Sequence, residues 1–289
     1  MRAYSHTHPK AQSLVEAIPE AARKAKSMNL PYWIIAQDVS PFGIVIVGQE
    51  PLQLTAPLGT PVALVALGPS KASVENLQDF ISTVTKFVME KNLANALVTL
   101  SFNHRGAVSQ FIQAGFEAFD DYYLMSCELS QHLTLSTDLK FEPVKPEEIR
   151  EWFSTATRFF AGSTDNALNV ALQYMPNLPD AFLKQYLANE NLYFVTMGAT
   201  KIGILDIHRT NAWIGNMAVD SERRRQGYGK QILIFALKQL QTRGCSKASL
   251  RMHVNNKPAL KLYGSVGFKK TARYKRLLWR NTKFLSNSP

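Results

Sequence analysis

The two halves of the sequence end in the same pattern. The stretch NHRGAVSQFIQAGF around Ala107 and the stretch NNKPALKLYGSVGF around Ala259 each place a phenylalanine nine positions after the alanine, directly behind a glycine. Upstream of each stretch, the apolar pattern predicts a strand, a helix and a strand. We therefore infer an internal duplication with copies of about 130 residues. Chance similarity between two helix-to-strand corners is the alternative.

This repetition predicts two domains, 1–135 and 139–289, with the polar, Ser/Thr-rich stretch SQHLTLSTD between them. In the second domain, three closely spaced strand-like runs predict an antiparallel meander. A later strand, helix and strand predict a βαβ crossover, which makes its two strands parallel. The fold class is α/β, of the α+β kind: each domain is a mixed, mostly antiparallel sheet flanked by helices.

The positive charge of the chain is concentrated in its second half. The net charge is +11, yet residues 1–140 carry ten Lys/Arg against twelve Asp/Glu, whereas 141–289 carry 23 against ten. After Glu222 the sequence has 17 Lys/Arg and no acidic residue. We expect a positive field there and an anionic partner, with a merely solubilising surface as the alternative.

Other features limit the class of protein. No apolar run approaches the roughly 18 residues of a membrane span, and the opening MRAYSHTHPKAQSLVEA lacks the apolar core of a signal peptide. Cys127 and Cys245 have no metal-binding or redox spacing. We expect a cytoplasmic protein with reduced thiols, no metal site and no membrane contact.

The cluster RRRQGYGKQ, residues 223–231, lies between a predicted strand and a predicted helix. The first amides of a helix have no intrahelical partners and the helix dipole is positive there, so this position favours an anion. Gly227 and Gly229 admit a phosphate, and Lys230 adds a positive charge. A P-loop is excluded because Gln231 follows the lysine, and a dinucleotide site because no acidic residue follows for the ribose. A basic turn without a ligand stays open.

Two motifs resemble those of the GNAT N-acetyltransferase superfamily. The stretch NMAVDSERRRQGYGKQIL is similar to its acyl-coenzyme A motif, in which a strand leads into (R/Q)xxGx(G/A) and a helix; the matching residues are Arg224, Gly227 and Gly229. The stretch NKPALKLYGSVGF resembles the family's Asn-xx-Ala-xx-Leu-Tyr-xxx-Gly-Phe corner through Asn256, Ala259, Leu262, Tyr263, Gly267 and Phe268. The resemblance covers roughly 141–280. The first half looks like a degenerate second copy, in a layout similar to tandem GNAT enzymes such as mycothiol synthases.

The resemblance implies that an acetyl group passes directly from acetyl-CoA to a primary amine in a ternary complex. It places the pyrophosphate on the loop amides and the pantetheine arm along the preceding strand. The implied cofactor-binding residues are Met217, Ala218, Val219, Arg224, Arg225, Gln226, Gly227, Tyr228, Gly229, Lys230 and Asn256. We expect a small-molecule acceptor in preference to a protein, and a monomer or homodimer.

The catalytic residues match the family only in part. Tyr263 matches the family's tyrosine that protonates the leaving thiolate, and a phenol pKa near 10 suits that step. The usual base is missing, because Trp213 and Arg251 stand where members commonly carry a glutamate. Asp206 and His208 share one face of a predicted strand, and we rank His208 first, since an ordinary pKa near 6.5 suits proton acceptance. A water relay without a base stays open.

The first half lacks the acetyl-CoA motif. It has GPSKAS where the second half has its arginines and glycines, and His104 and Phe111 replace the corner asparagine and tyrosine. We expect no acetyl-CoA site there. A second hypothesis for the chain is a non-catalytic module that senses acetyl-CoA or binds nucleic acid, because Tyr274 and Trp279 alternate with cations in KKTARYKRLLWRNTK. We do not expect nucleic acid to be the partner.

Overall fold

The structure is a computed structural model that describes residues 1–15, 22–23, 25–26, 29–38, 40–50, 53–68, 74–101, 104–129, 135 and 137–285. Its strands are β1 (Arg2–Ser5), β2 (Tyr32–Gln37), β3 (Ser40–Gln49), β4 (Pro61–Leu67), β5 (Asn95–Ser101), β6 (Glu117–Glu128), β7 (Lys140–Pro143), β8 (Glu190–Met197), β9 (Thr200–His208), β10 (Ile214–Val219), β11 (Lys247–His253) and β12 (Lys269–Arg280). Its helices are α1 (Pro9–Leu14), α2 (Val74–Glu90), α3 (Arg105–Gln113), α4 (Ile149–Phe160), α5 (Asn166–Tyr174), α6 (Asp180–Asn189), α7 (Tyr228–Thr242), α8 (Lys257–Gly264) and α9 (Thr282–Leu285).

The chain forms two compact units, Met1–Asp121 with Tyr274–Pro289, and Tyr122–Arg273. This division differs from the predicted sequential domains 1–135 and 139–289. The reason is the last strand of each half. In the first unit the end of β12 pairs antiparallel with β5, and in the second unit the end of β6 pairs antiparallel with β11. Each unit therefore completes its sheet with a strand from the other half of the sequence.

In the first unit, β1 to β4 pair antiparallel in sequence order, and β4 pairs parallel with β5. Helix α2 connects these two parallel strands. Its buried residues recur at helical spacing and join one apolar core with the strands; they are Leu77, Phe80, Ile81, Val84, Phe87 and Val88. Of the GPSKAS segment only Gly68 lies within the described residues.

In the second unit, β7, β8, β9 and β10 form an antiparallel meander, as predicted. Helix α7 follows β10 and leads to β11, which is the predicted crossover. Its apolar stripe is fully buried through Ile232, Leu233, Ala236, Leu237 and Leu240. Gly244 follows the helix with φ +78°, the left-handed conformation that glycine commonly adopts at a helix C-terminus. The predicted fold class, mixed and mostly antiparallel sheets flanked by helices, is confirmed.

Two leucines test the division into units. Leu277 of β12 is fully buried in the core that contains Phe80, although it lies near the C-terminus. We expect Leu277→Ala to lower the free energy of unfolding of the first unit by about 2–5 kcal/mol, because it leaves a cavity. Hydrogen exchange should then accelerate in β5 before β11. The matched variant Leu237→Ala should show the opposite order, and faster exchange in β11 for Leu277→Ala would contradict the assignment.

Candidate functional site

Strand β10 contains a bulge. Ile214 lies opposite Ile207 of β9, and Met217 lies opposite Leu205, so three steps along β10 face two steps along β9. One extra residue is thus inserted within Gly215 and Asn216, where the ladder is interrupted. After the bulge the regular antiparallel pairing resumes.

The other edge of β10 is open. One parallel bridge, Trp213 to Ser249, joins it to β11, and the amide of Ser249 donates to the carbonyl of Ala212 at 2.8 Å. Beyond this bridge the two strands form no further ladder pair in the part of the chain that the structure describes. The corresponding strands of the first unit pair at four positions, from Ala63↔Ala96 to Ala66↔Thr99. The second unit alone thus offers free strand edges at this place.

The alternation of the backbone shows which groups face this open edge. The amide of Asn216 donates to the Asp206 carboxylate at 2.8 Å, and the amide of Asp220 donates to a β9 carbonyl at 2.9 Å. Backbone groups of successive residues point to opposite edges of a strand. Met217 and Val219 therefore face the open edge, whereas the backbone of Ala218 faces β9.

The loop before α7 gathers backbone amides. Arg225 has φ +65° and Gly227 has φ +86°, both left-handed, and Gly227 is the N-cap of the helix. Among the described residues, the amides from Arg225 to Gly229 donate no hydrogen bond of ordinary geometry to the protein. Amides turned inward by such a conformation, at the positive end of a helix, form a concave anion site. The loop therefore has a conformation and a position that suit an anion, and the anion site itself stays a prediction.

The side chains of the loop have separate roles. Arg224 donates from Nε to the carbonyl of Val219 at 3.1 Å and from Nη2 to that of Phe159 at 2.6 Å, so it ties the loop to the end of α4. Gln226 donates to the carbonyl of Glu222 at 3.3 Å. The side chains of Arg225 and Lys230 are also exposed, and neither makes a hydrogen bond or ion pair within the described residues.

Gly229 allows two helices to pack closely. A Cβ on Gly229 would lie 3.2 Å from Cδ2 of Leu262, so the glycine lets α7 approach α8 closely. The neighbouring Tyr228 turns away from the loop and directs its hydroxyl to the sulfur of Met197 at 3.3 Å. These two residues thus shape the start of α7 by packing.

The corner motif forms the start and the body of α8. The Oδ1 atom of Asn256 accepts from the amide of Ala259 at 3.1 Å, which caps the helix. Tyr263 is half-buried and packs against Phe268, with ring centroids 5.8 Å apart. Burial raises the pKa of Tyr263 to about 12. The phenol therefore stays protonated at neutral pH, as a proton donor must.

His208 lies at the end of β9 and takes part in the turn to β10. Its Nδ1 atom accepts from the amide of Thr210 at 3.2 Å, and its carbonyl accepts from Arg243 at 2.6 Å. A neutral imidazole that accepts at Nδ1 carries its proton on Nε2. The ring can take up a second proton only by giving up the bond to Thr210.

A buried polar network beside the bulge was missed by the sequence analysis, apart from Asp206 itself. This carboxylate is 1% exposed and accepts from the Tyr186 hydroxyl at 2.7 Å, the Asn216 amide at 2.8 Å and the Asn216 side chain at 2.7 Å. Burial raises the pKa of Asp206, while the hydrogen bonds from Tyr186 and Asn216 oppose the rise. Burial and the nearby carboxylate hold the pKa of Tyr186 well above its ordinary value.

Glu190 adds a second carboxyl group. It begins β8 opposite His208, and its Oε2 atom is buried with no hydrogen-bond partner among the described residues. Burial, and then the charge of Asp206, raise the pKa of Glu190 to about 7, against the effect of Arg209. The group therefore changes its charge close to neutral pH.

A further charged pair lies on β11. The Arg251 guanidinium is 3.8 Å from the carboxylate of Asp165, at the start of α5, and its carbon lies 4.4 Å from the ring centroid of Tyr122. A cation thus occupies the strand position at which the resemblance described above implies a glutamate. In the first unit, Trp279 is partly buried and packs against the apolar core.

The titration of Glu190 predicts a pH dependence of stability. Its folded pKa of about 7 lies above the ordinary value of 4.5, so its contribution is greatest below pH 4.5 and is lost as the pH rises to 7. Because Glu190 is only half-buried, solvent screens part of this effect, and we expect the parent to lose on the order of 1 kcal/mol more than Glu190→Gln between about pH 5 and pH 8. Urea unfolding at both pH values measures the difference. Equal losses in the two proteins would contradict the shift.

Within the described residues, no helix is long and apolar enough to cross a membrane. The same residues contain no group of three or more His, Cys, Asp or Glu side chains placed to hold a metal ion.

Comparisons with known proteins point to one family. Residues 147–268 match the Acetyltransferase (GNAT) family. A "[Ribosomal protein bS18]-alanine N-acetyltransferase" of Haemophilus ducreyi is 46% identical over 57 residues, which is 20% of this chain and 39% of that relative, so the chain spans about two fifths of the relative's length.

Two solved structures are similar in fold over most of the chain. A GCN5-related N-acetyltransferase from Sphaerobacter thermophilus has a TM-score of 0.64 at 14% identity. The match covers 93% of this chain and 89% of that protein's chain. A tandem GNAT protein from the clavulanic acid biosynthesis pathway has a TM-score of 0.55 at 13% identity. The match covers 87% of this chain and 82% of that protein's chain.

Proposed function

Because residues 147–268 match the GNAT acetyltransferase family, we propose that the chain transfers the acetyl group of acetyl-CoA to a primary amine. The observation that carries the proposal is the set of amides from Arg225 to Gly229, without protein acceptors, beside the open edge of β10. The amides supply donors for a pyrophosphate, and the positive end of α7 adds to them. Arg225 and Lys230 add charge at the mouth of the loop.

The pantetheine arm fits the open edge of β10. Met217 offers both its amide and its carbonyl, whereas Val219 offers its amide only, because its carbonyl accepts from Arg224. An extended amide-bearing arm would pair with these groups as an added strand does. Asn256, at the start of α8, would bound the same cleft from the corner motif.

The chemistry requires three proton or charge transfers. The neutral amine attacks the thioester carbonyl, whose oxygen gains negative charge; the Met217 amide, the open-edge donor farther from the loop, would stabilise it. The C–S bond then breaks, and Tyr263 would protonate the leaving thiolate. The amine's proton would pass to the cross-strand pair of Glu190 and His208. Glu190 is the better acceptor of the two, since its buried oxygen is unpartnered whereas the His208 Nδ1 atom is already engaged.

The acceptor is proposed as a small-molecule primary amine. A second candidate is the α-amine of a protein N-terminus, because the similar Haemophilus ducreyi protein is named for an alanine of ribosomal protein bS18. Thiol release from acetyl-CoA with a panel of polyamines, aminoglycosides and N-terminal alanine peptides would separate the two classes.

The layout is proposed to be tandem and cytoplasmic, with one acetyl-CoA site. In the first unit, β4 and β5 pair at four positions, so the strand edges that would hold a pantetheine arm are already used. The similarity in fold to a tandem GNAT protein supports this layout. The first unit would then hold no coenzyme of its own.

Calorimetry with acetyl-CoA tests the loop. We expect the parent to bind and Gly227→Glu to lose at least about a hundredfold in affinity, because a carboxylate would occupy and repel the phosphate position. Gly244→Glu is the matched control: it has the same left-handed conformation, the same open surroundings and the same added charge, at the opposite end of α7. A parent that does not bind acetyl-CoA would refute the proposal.

Replacement of Tyr263 by Phe tests the proton donor. We expect kcat for acetyl transfer to fall by about 10²-fold, in the range for loss of a general acid, while the KM for acetyl-CoA changes less than about threefold. The packing against Phe268 is kept. Since the pKa of Tyr263 is about 12, the parent should show no alkaline limb from this group below about pH 11. An unchanged kcat would remove Tyr263 from the mechanism.

A further inference from the structure

We propose that Asp206 is a positioning residue that locks the bulge of β10 and thereby sets which backbone groups of this strand face acetyl-CoA. The inference rests on the proposed acetyl-CoA site and names a residue outside its two motifs. It depends on four observations: the register of β10, the hydrogen bonds of Asp206, the space beside Gly215 and the groups packed around Asp206.

The bulge sets the register of β10 and so decides which of its backbone groups face the open edge. With the bulge, the amides of Asn216 and Asp220 point to the β9 side, so Met217 and Val219 point to the open edge. Without the extra residue, the pairing of Ile214 with Ile207 would continue by single steps, and a shift by one residue reverses the direction of every group. Met217 would then face β9, and the cleft would present the backbone of Ala218 in its place.

Asp206 supplies the bonds that the bulge removes. The Asn216 amide has no carbonyl partner in β9 and donates to Oδ1 of Asp206 at 2.8 Å. The Asn216 side chain donates to Oδ2 at 2.7 Å and to the Tyr186 hydroxyl at 2.9 Å, and that hydroxyl donates to Oδ2 at 2.7 Å. A buried amide without an acceptor is costly, so the carboxylate is what makes the bulge stable in a 1% exposed position.

Gly215 forms the other half of the lock. A Cβ on this residue would lie 1.8 Å from Oδ1 and 2.8 Å from Cγ of Asp206. Its φ is not in the left-handed region, so the constraint is space and not conformation. The carboxylate therefore occupies the volume that a side chain at position 215 would need, and the two residues depend on each other.

The groups packed around Asp206 either donate hydrogen bonds to its carboxylate or interact with its negative charge. Tyr186 of α6 and Asn216 of β10 donate to it, and the carboxyl of Glu190 in β8 raises the energy of a second negative charge nearby. Arg209, which follows β9, lowers the pKa of Glu190. Replacement of Asp206 by Asn keeps an acceptor for the Asn216 amide but presents an NH₂ group to the remaining donors.

The first experiment compares Asp206→Ala and Asp206→Asn with the parent. We expect acetyl-CoA affinity to fall about tenfold or more in Asp206→Ala, in the range for lost charge-assisted hydrogen bonds, and less in Asp206→Asn. Hydrogen exchange should accelerate at Asn216 and Ala218, whose amides face β9, while the interior of α7 keeps its protection. Asp120→Asn is the control: it removes a buried carboxylate of the first unit that pairs with Arg276, and should leave acetyl-CoA affinity unchanged.

The second experiment tests the mutual dependence. Gly215→Ala should weaken acetyl-CoA binding as much as Asp206→Ala, because the added methyl group displaces the carboxylate. The double variant should lose no more acetyl-CoA affinity than either single variant, because the two residues then act through the same interaction. Gly106→Ala, at a helical glycine of the first unit with open space around it, is the control for the substitution itself. Additive losses in the double variant would overturn the lock.

The outcomes separate this inference from the proposed function. If the parent binds no acetyl-CoA, the proposed function fails, and the inference fails with it. If the parent binds and folded Asp206→Ala keeps both the affinity and the exchange rates of Asn216 and Ala218, only the inference fails. Should Asp206→Ala not fold, Asp206→Asn and Tyr186→Phe decide the question by the same two measurements, with parental values in both overturning it.

Discussion

The proposed chemistry of the second unit depends on two parallel strands that stay unpaired. Strands β10 and β11 meet at Trp213 and Ser249, and beyond that bridge their facing edges form no further ladder pair with any residue that the structure describes. Unpaired backbone groups inside a sheet are costly, so such an opening persists only if other bonds hold the strands apart. The Asp206 network supplies such bonds on the β9 side of β10, and Arg224 ties the end of the strand to α4.

Electrostatics divides the site into two ends. At the start of α7, free amides and the exposed Arg225 and Lys230 make a positive environment suited to phosphate. Beside the bulge, by contrast, Glu190 and Asp206 share a buried region in which one carboxyl holds its proton up to about pH 7. A site that takes an anion at one end and a proton from an amine at the other requires this separation.

The sequence predicted the local features well and the long-range ones poorly. The crossover and the position of the glycine loop at the start of a helix follow from periodicity and from residues close together in the chain. The pairing of β12 with β5 could not be predicted, because an apolar strand pattern does not specify its partner. For the same reason, the sequential domains differ from the compact units.

The catalytic assignments show the same limit. His208 was ranked as the base from its residue type alone, whereas the structure engages its Nδ1 atom with Thr210. Glu190 carried no motif, and its raised pKa arises from burial and from Asp206, sixteen positions away in sequence. A buried aspartate inside the apolar run KIGILDIH was the signal in the sequence that deserved more weight, since a lone carboxylate in a strand interior needs donors.

The most direct measurement of the central claim is hydrogen exchange of the whole chain with and without acetyl-CoA. The account predicts new protection at Arg225–Gly229 and at Met217–Val219, with none along β4 and β5 of the first unit. Protection that appears in the first unit instead, or that leaves Met217–Val219 unchanged while the coenzyme is bound, would contradict it.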